Sequence, residues 1–144
     1  MDSYRLVTVP NPAAGANFVY QQPANLFSKV IQCRFLFVAS AAVAIRTPQV
    51  VTFDGGLLLS TVKWATTTLA GVSRSYICVD GAYAVEVNNV IAGASYPLRE
   101  SGGFWLLPGR TFESLIDLIQ AADQISLIRI LFQDVNLVSP GVVG

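Results

Sequence analysis

The chain has 144 residues, of which 53% are hydrophobic and only 12% charged, and its nine basic and nine acidic side chains give a formal net charge of zero. That balance excludes disorder, which combines low hydrophobicity with high net charge, and it argues against a nucleic-acid binder, which needs a clustered basic face. The absence of histidine removes the commonest general base, the usual metal ligand and every Ser/His or Cys/His nucleophile arrangement.

The length suits one domain with a single core. The opening Met1-Asp2-Ser3-Tyr4-Arg5 has neither the basic nor the apolar region of a secretory signal, so folding in the cytosol that made the chain is expected. A bilayer helix needs about 20 apolar residues. The densest apolar run, 35–45, is far shorter and reads better as strand, so no membrane partner is expected.

Residues 1–27 read as an N-terminal arm or extended segment, with Pro10, Pro12 and Pro23, the Ala13-Ala14-Gly15-Ala16 run, and one short strand at Phe18-Val19-Tyr20. A β-domain follows over 28–135. Short β-rich runs at 29–38, 42–45, 49–53, 57–68, 72–79, 82–87, 104–107, 110–119 and 124–135 alternate with turn residues, the spacing of an antiparallel sandwich or barrel. Asp54-Gly55-Gly56 and Asp80-Gly81 supply the positive φ that tight hairpins need. Ser101-Gly102-Gly103 and Pro108-Gly109 punctuate later strands, the latter as a hairpin before 110–119, and Asn88-Asn89 reads as a turn or bulge. A helix competes with a strand at 112–122, but the flanking turns favour strand. Residues 136–144 form an apolar tail too broken by Pro140, Gly141 and Gly144 to close a sheet.

Chemistry-bearing residues are few. Cys33 and Cys78 each sit in an apolar stretch and are expected as buried free thiols, with a bridge as the alternative; two cysteines without histidine make no zinc site. Glu113 and Asp117 share a face only on a helix, and in a strand they lie about 13 Å apart, beyond the separation glycosidase acid pairs use. The Gly55-Gly56 and Gly102-Gly103 pairs lack the lysine and following helix of a phosphate loop. Trp64 and Trp105, with Tyr76, Tyr83 and Tyr96, can form a sugar-stacking platform, though core packing is the preferred reading. No catalytic residue, cofactor, metal or small-molecule substrate is expected.

A folded protein of this mass exposes on the order of 7,000 Å², which 18 charged side chains cover thinly. Near-zero charge and an apolar exterior mark a subunit whose surface meets other protein. The apolar segments near the ends, with Phe18, Val19, Tyr20, Leu137 and Val138, are the candidate interface, each able to lie on a neighbour or add a strand to its edge.

The order of several elements resembles small β-sandwich virion proteins of tailed bacteriophages. After the Pro-rich lead comes the strand Ser28-Lys29-Val30-Ile31-Gln32-Cys33-Arg34-Phe35. The Ala/Ser segment Ala39-Ser40-Ala41-Ala42-Val43-Ala44 follows, then the Arg46-Thr47-Pro48 step and a strand running into Asp54-Gly55-Gly56. Later come Leu106-Leu107-Pro108-Gly109-Arg110, Ile119-Gln120-Ala121-Ala122-Asp123-Gln124 and the last strand, Leu127-Ile128-Arg129-Ile130-Leu131-Phe132. Residues 60–100 carry no aligning pattern. The resemblance implies a jelly-roll-like antiparallel β-sandwich and a non-enzymatic place on the virion, as a capsid decoration (cement) subunit contacting a major capsid protein and copies of itself. A tail, neck or baseplate component is the alternative, and a carbohydrate-binding sandwich the alternative of another class.

Overall fold

The computed structural model describes residues 3–64, 67–79, 85–87, 90–94 and 104–135, and every helix or strand among them is a strand. In chain order these are β1 (Ser3–Val9), β2 (Val19–Gln21), β3 (Phe27–Val38), β4 (Gln49–Asp54), β5 (Leu57–Lys63), β6 (Ser73–Val79), β7 (Val85–Val87), β8 (Val90–Ala94), β9 (Phe104–Leu106), β10 (Thr111–Ser114) and β11 (Gln124–Val135). One sheet runs β1-β11-β3-β6-β8-β7, with β9 also on β3, and the other runs β2-β10-β4-β5. Their pairings are antiparallel except β6 with β8, which are parallel.

The connectivity is that of a rolled-up hairpin. With β7, β8 and β9 set aside as an insertion, the first strand pairs the last (β1 with β11), β2 pairs β10, β3 pairs β6 and β4 pairs β5. The roll closes through β11 on β3 and β10 on β4. This is the two-sheet jelly roll, in agreement with the expected sandwich.

Period-two burial builds the core between the sheets. Phe18, Phe35, Phe37, Trp64, Tyr76, Phe112 and Phe132 are all buried there. Phe35 makes edge-on contacts with Phe18 and Trp64 and stacks on Tyr76. Each such side chain contributes on the order of 1.5–3 kcal/mol by leaving water. Trp64 keeps its indole N–H satisfied by donating to the Ile77 carbonyl at 3.1 Å. Two irregularities adjust the phase of the long β3/β11 pair. Ile31 is an extra residue opposite the Leu131/Phe132 step, and Leu127, at φ 52°, is an extra residue between Ser126 and Arg129. The second bulge lets Ile125, Ile128, Ile130 and Phe132 all face inward.

Polar clamps tie both ends of the sandwich. At one end the loops β1–β2, β3–β4 and β10–β11 cross between the sheets, and Arg46 and Asp123, both fully buried, join them. Arg46 Nε and Nη2 donate to the two Asp123 oxygens at 2.9 and 3.0 Å, and Nη1 and Nη2 donate to the Ala44 and Ala42 carbonyls at 2.8 and 2.9 Å. The Ser40 and Gln120 amides each donate to Asp123 at 2.7 Å. The Gly15 amide donates to the Asp123 carbonyl at 2.7 Å, in a left-handed conformation (φ 79°) where a Cβ would stand 2.9 Å from the Ala121 backbone. At the other end Arg5 donates to Asp134 through Nε at 2.8 Å and Nη2 at 3.0 Å, and to the Tyr20 hydroxyl at 2.8 Å, while lying 4.7 Å from the Phe132 ring centroid.

Several expectations change. The 42–45 run is not a strand, because its carbonyls turn toward the Arg46 guanidinium instead of a sheet partner. The segment expected as an arm contributes a strand to each sheet, with seven register pairs joining β1 to β11. The strand expected over 110–119 stops at Ser114, and only an isolated bridge from Asp117 to Thr47 continues it. Pro108-Gly109 is a turn, with Gly109 at φ 72° and the Arg110 amide bonded to the Leu107 carbonyl, but it passes the chain from one sheet to the other instead of closing a hairpin. Asp54-Gly55-Gly56 does close the β4–β5 hairpin, with both glycines at positive φ. The turns at 80–81, 88–89 and 101–103 and the tail at 136–144 lie outside the described residues.

Burial pushes the Asp123 carboxyl up, but the hydrogen bonds from Arg46, Gln120 and Ser40 outweigh it and leave the group well below its ordinary value of 3.8. Asp134 is lowered chiefly by Arg5. Both carboxyls bind a proton more weakly folded than unfolded, so their stabilisation is complete above about pH 4 and is lost as the pH falls toward the folded-state values. Urea midpoints measured down the acid range should therefore fall below about pH 4. Asp123→Asn should cost about 3–5 kcal/mol near neutrality, since it leaves a buried guanidinium unpaired, and should give a shallower acid slope. Phe18→Ala should lower the unfolding free energy by about 3–5 kcal/mol, and Val19→Ala by less than about 0.5 kcal/mol.

Candidate assembly surface

The residues with chemical potential are dispersed. Glu113 faces out from β10 and accepts from the Thr111 hydroxyl at 2.7 Å, whereas Asp117 lies beyond the strand at its bridge with Thr47. Among the described residues no group of three or more His, Cys, Asp or Glu side chains is placed to hold a metal ion. Cys33 and Cys78 are not joined in a disulfide; both are buried, directly opposite each other across β3 and β6. Burial, with Cys78 beside it, pushes the Cys33 thiol well above its ordinary range, which makes it a poor nucleophile.

Among the described residues no aromatic platform forms. Trp64 and Tyr76 are core residues, and the Tyr76 hydroxyl is bonded to that of Thr68. Trp105 is half-buried and stacks on Phe27 with ring centroids 5.1 Å apart, with Lys29 over its face. Tyr83 and Tyr96 lie outside the described residues. An open groove of about 500 Å³ lies beside the β4–β5 hairpin, lined by Gln21, Phe53, Arg110 and Glu113 among others. Arg110 pairs there with Asp54 at 2.6 Å, both more than a third exposed, an ion pair of little energetic weight.

Several large apolar side chains among the described residues face outward. β1 and β5 lie at sheet edges. On β1, Arg5, Val7 and Val9 turn inward, which leaves Tyr4 and Leu6 each 67% exposed. On β5 the consecutive Leu57, Leu58 and Leu59 are all exposed, Leu57 by 65%. The β4/β5 register slips between Thr52 and Phe53, so one more β5 residue stands free of the pairing. Leu115 and Leu118 are exposed beyond β10. Exposed apolar side chains clustered on strand edges are the chemistry of a protein contact or of strand addition.

The expected interface residues divide. Phe18 is a core residue: its amide donates to Ser114 Oγ at 3.0 Å and its ring packs on Phe35 and Phe112, so it is unavailable to a partner. Val19, next to it on the edge strand β2, is exposed. Tyr20 is half-buried on Phe132 with its hydroxyl held by Arg5. Leu137 and Val138 lie outside the described residues. Sequence reading missed Tyr4, Leu6 and Leu57 to Leu59. The alternating β-rich run 4–9 was the available sign for the first two, and three leucines against the Gly55-Gly56 turn for the others.

No protein-family model matches the chain, and no curated protein gives a significant match. Among solved structures, dimeric latent PorU from Porphyromonas gingivalis is similar with a TM-score of 0.44 at 13% identity over 92% of this chain. Infectious bursal disease virus strain Gx is similar with a TM-score of 0.44 at 12% identity over 99% of this chain. The present chain spans 13% and 35% of those two chains. At this degree of superposition neither likeness bears on function.

Because these apolar side chains make little contact within the fold, Leu6→Ser and Leu57→Ser should each change the unfolding free energy by no more than about 0.5 kcal/mol. The buried Leu106→Ala should cost about 2–5 kcal/mol. Urea titration of the three variants measures the contrast.

Proposed function

We propose that the chain is a non-enzymatic structural subunit of a virion, a capsid decoration (cement) protein that binds a major capsid protein and copies of itself at the capsid surface. The observation that carries this reading is the run of exposed Leu57, Leu58 and Leu59 on one sheet edge, with Tyr4 and Leu6 on another. Against another protein these side chains leave water, and a standard interface removes about 800 Å² from each partner. The virion assignment is supported by the resemblance in element order to small sandwich proteins of tailed phages. The jelly-roll connectivity agrees with it by analogy, since viral capsid domains use that fold, as do lectins and cupins.

The reading needs no cofactor, metal or substrate. A sugar-binding role is weakened by the burial of Trp64 and Tyr76.

Purified protein mixed with empty shells of a tailed phage should bind saturably and raise the temperature at which the shells fall apart, as a ligand of the assembled state must. Leu57→Ser with Leu59→Ser should weaken that binding without unfolding the chain. Binding to detached tails in place of shells would move the assignment to a tail component. Binding to neither would overturn it.

A further inference from the structure

On the outer face of the larger sheet, Arg34 of β3 stands directly opposite Arg129 of β11. Opposed side chains in an antiparallel pair have Cβ atoms about 4.5–5.5 Å apart, and like charges there repel. The Leu127 bulge produces this placement, because it resets the phase of β11 just before Arg129. Arg5, Arg46 and Arg110 each have a carboxylate partner. Among the described residues neither Arg34 nor Arg129 has one, and Arg129 makes only a long bond of 3.4 Å to the Ile128 carbonyl. With Leu6, Gln32 and Leu131 they line a shallow groove of about 240 Å³ that spans β1, β11 and β3.

A complementary feature sits past the end of β10. Ile116 is buried as an anchor, while Leu115, Asp117 and Leu118 on either side of it are exposed. The backbone of this knob is held rigidly. The Asp117 amide donates to Thr47 at 3.0 Å, the Leu115 amide to Gln49 at 2.8 Å and the Ile116 amide to Asn17 Oδ1 at 2.9 Å. Leu118 holds a left-handed φ of 59°. Among the described residues no basic side chain pairs with the Asp117 carboxylate. The knob is thus a carboxylate between two exposed leucines, and the groove is a pair of guanidinium groups between two leucines, without a carboxylate partner among the described residues.

We propose that Asp117 of one copy docks between Arg34 and Arg129 of a second copy, with Leu115 and Leu118 covering Leu6 and Leu131. The inference rests on the assembly reading above and names its contact. A carboxylate accepts from two guanidinium groups at once and removes their mutual repulsion, and the fixed backbone of the knob lowers the ordering cost of docking. The two patches differ, so the contact is heterologous and propagates into a ring or an open row of copies.

The test is sedimentation velocity on the full chain, as wild type, as Asp117→Ser, and as the double variant Arg34→Ser/Arg129→Ser, from micromolar to millimolar concentration. Wild type should self-associate, and each variant alone should do so at least tenfold more weakly. An equimolar mixture of the two variants should form one-to-one heterodimers and nothing larger, because only one intact knob and one intact groove remain. Arg34 and Asp117 are exposed, Arg129 is half-buried on the outer face and none of the three belongs to the core, so circular dichroism should show all proteins folded. If both variants associate as wild type does, the docking is wrong while self-assembly stands. If wild type is monomeric yet binds shells, the docking is wrong and the decoration role stands. If it neither self-associates nor binds shells or tails, both fall.

Discussion

The buried ion pair of Arg46 and Asp123 is the constraint on which one end of the molecule depends. Taking two charges out of water costs several kcal/mol per ion, and only complete hydrogen bonding offsets it. Here each carboxylate oxygen accepts two bonds, from the guanidinium and from a backbone amide. The guanidinium also donates to the carbonyls of Ala44 and Ala42. The partners lie 77 residues apart in the chain, so the pair forms only when the β3–β4 and β10–β11 crossings are both in place. It therefore contributes more to the choice of one arrangement of these loops than to net stability.

A rolled hairpin concentrates its sheet-to-sheet crossings at the two ends of the sandwich, and both ends are clamped by an Arg–Asp pair. The Arg5–Asp134 clamp is less buried, and it gains from the Tyr20 hydroxyl and from the Phe132 ring beneath the guanidinium. Because Arg5 is on β1 and Tyr20 on β2, this clamp joins the two sheets, and the first strand is part of the fold's own bonding. Among the described residues, Asp54, Asp123 and Asp134 are taken up in ion pairs, and Asp117 faces solvent.

The sandwich was legible in the sequence because period-two runs and glycine turns are local signals. Gly55-Gly56 closes its hairpin as its composition demands, and the 124–135 run is strand throughout. What was not legible depends on distant partners. Ala42 to Ile45 reads as strand by propensity, and only a buried guanidinium explains why its carbonyls leave the sheet pattern. Residues 3–9 read as an arm because the prolines after them dominate the segment, while their strand character is realised by β11, more than a hundred residues away. Phe18 was legible as apolar but not as core, since Phe35 and Phe112 reach it from other strands. The fold's exposed leucines follow from the sheet order, which places β5 at an edge, and sheet order is not written in any local run.

The bulge at Leu127 couples the interior of the larger sheet to its outer face. Without an extra residue, strict alternation from Ile125 would turn Ile128, Ile130 and Phe132 to solvent and bring Leu127, Arg129 and Leu131 inside. An unpaired arginine in that core costs far more than a locally strained backbone at one leucine, for which about 1–2 kcal/mol is typical. The core thus dictates the phase of β11, and the phase in turn sets Arg129 against Arg34 on the outside. Their repulsion is a secondary consequence of filling the core, and an anion placed between them relieves it. The apolar walls of Leu6 and Leu131 favour a carboxylate carried on protein over a freely hydrated ion, since docking then also removes leucine surface from water.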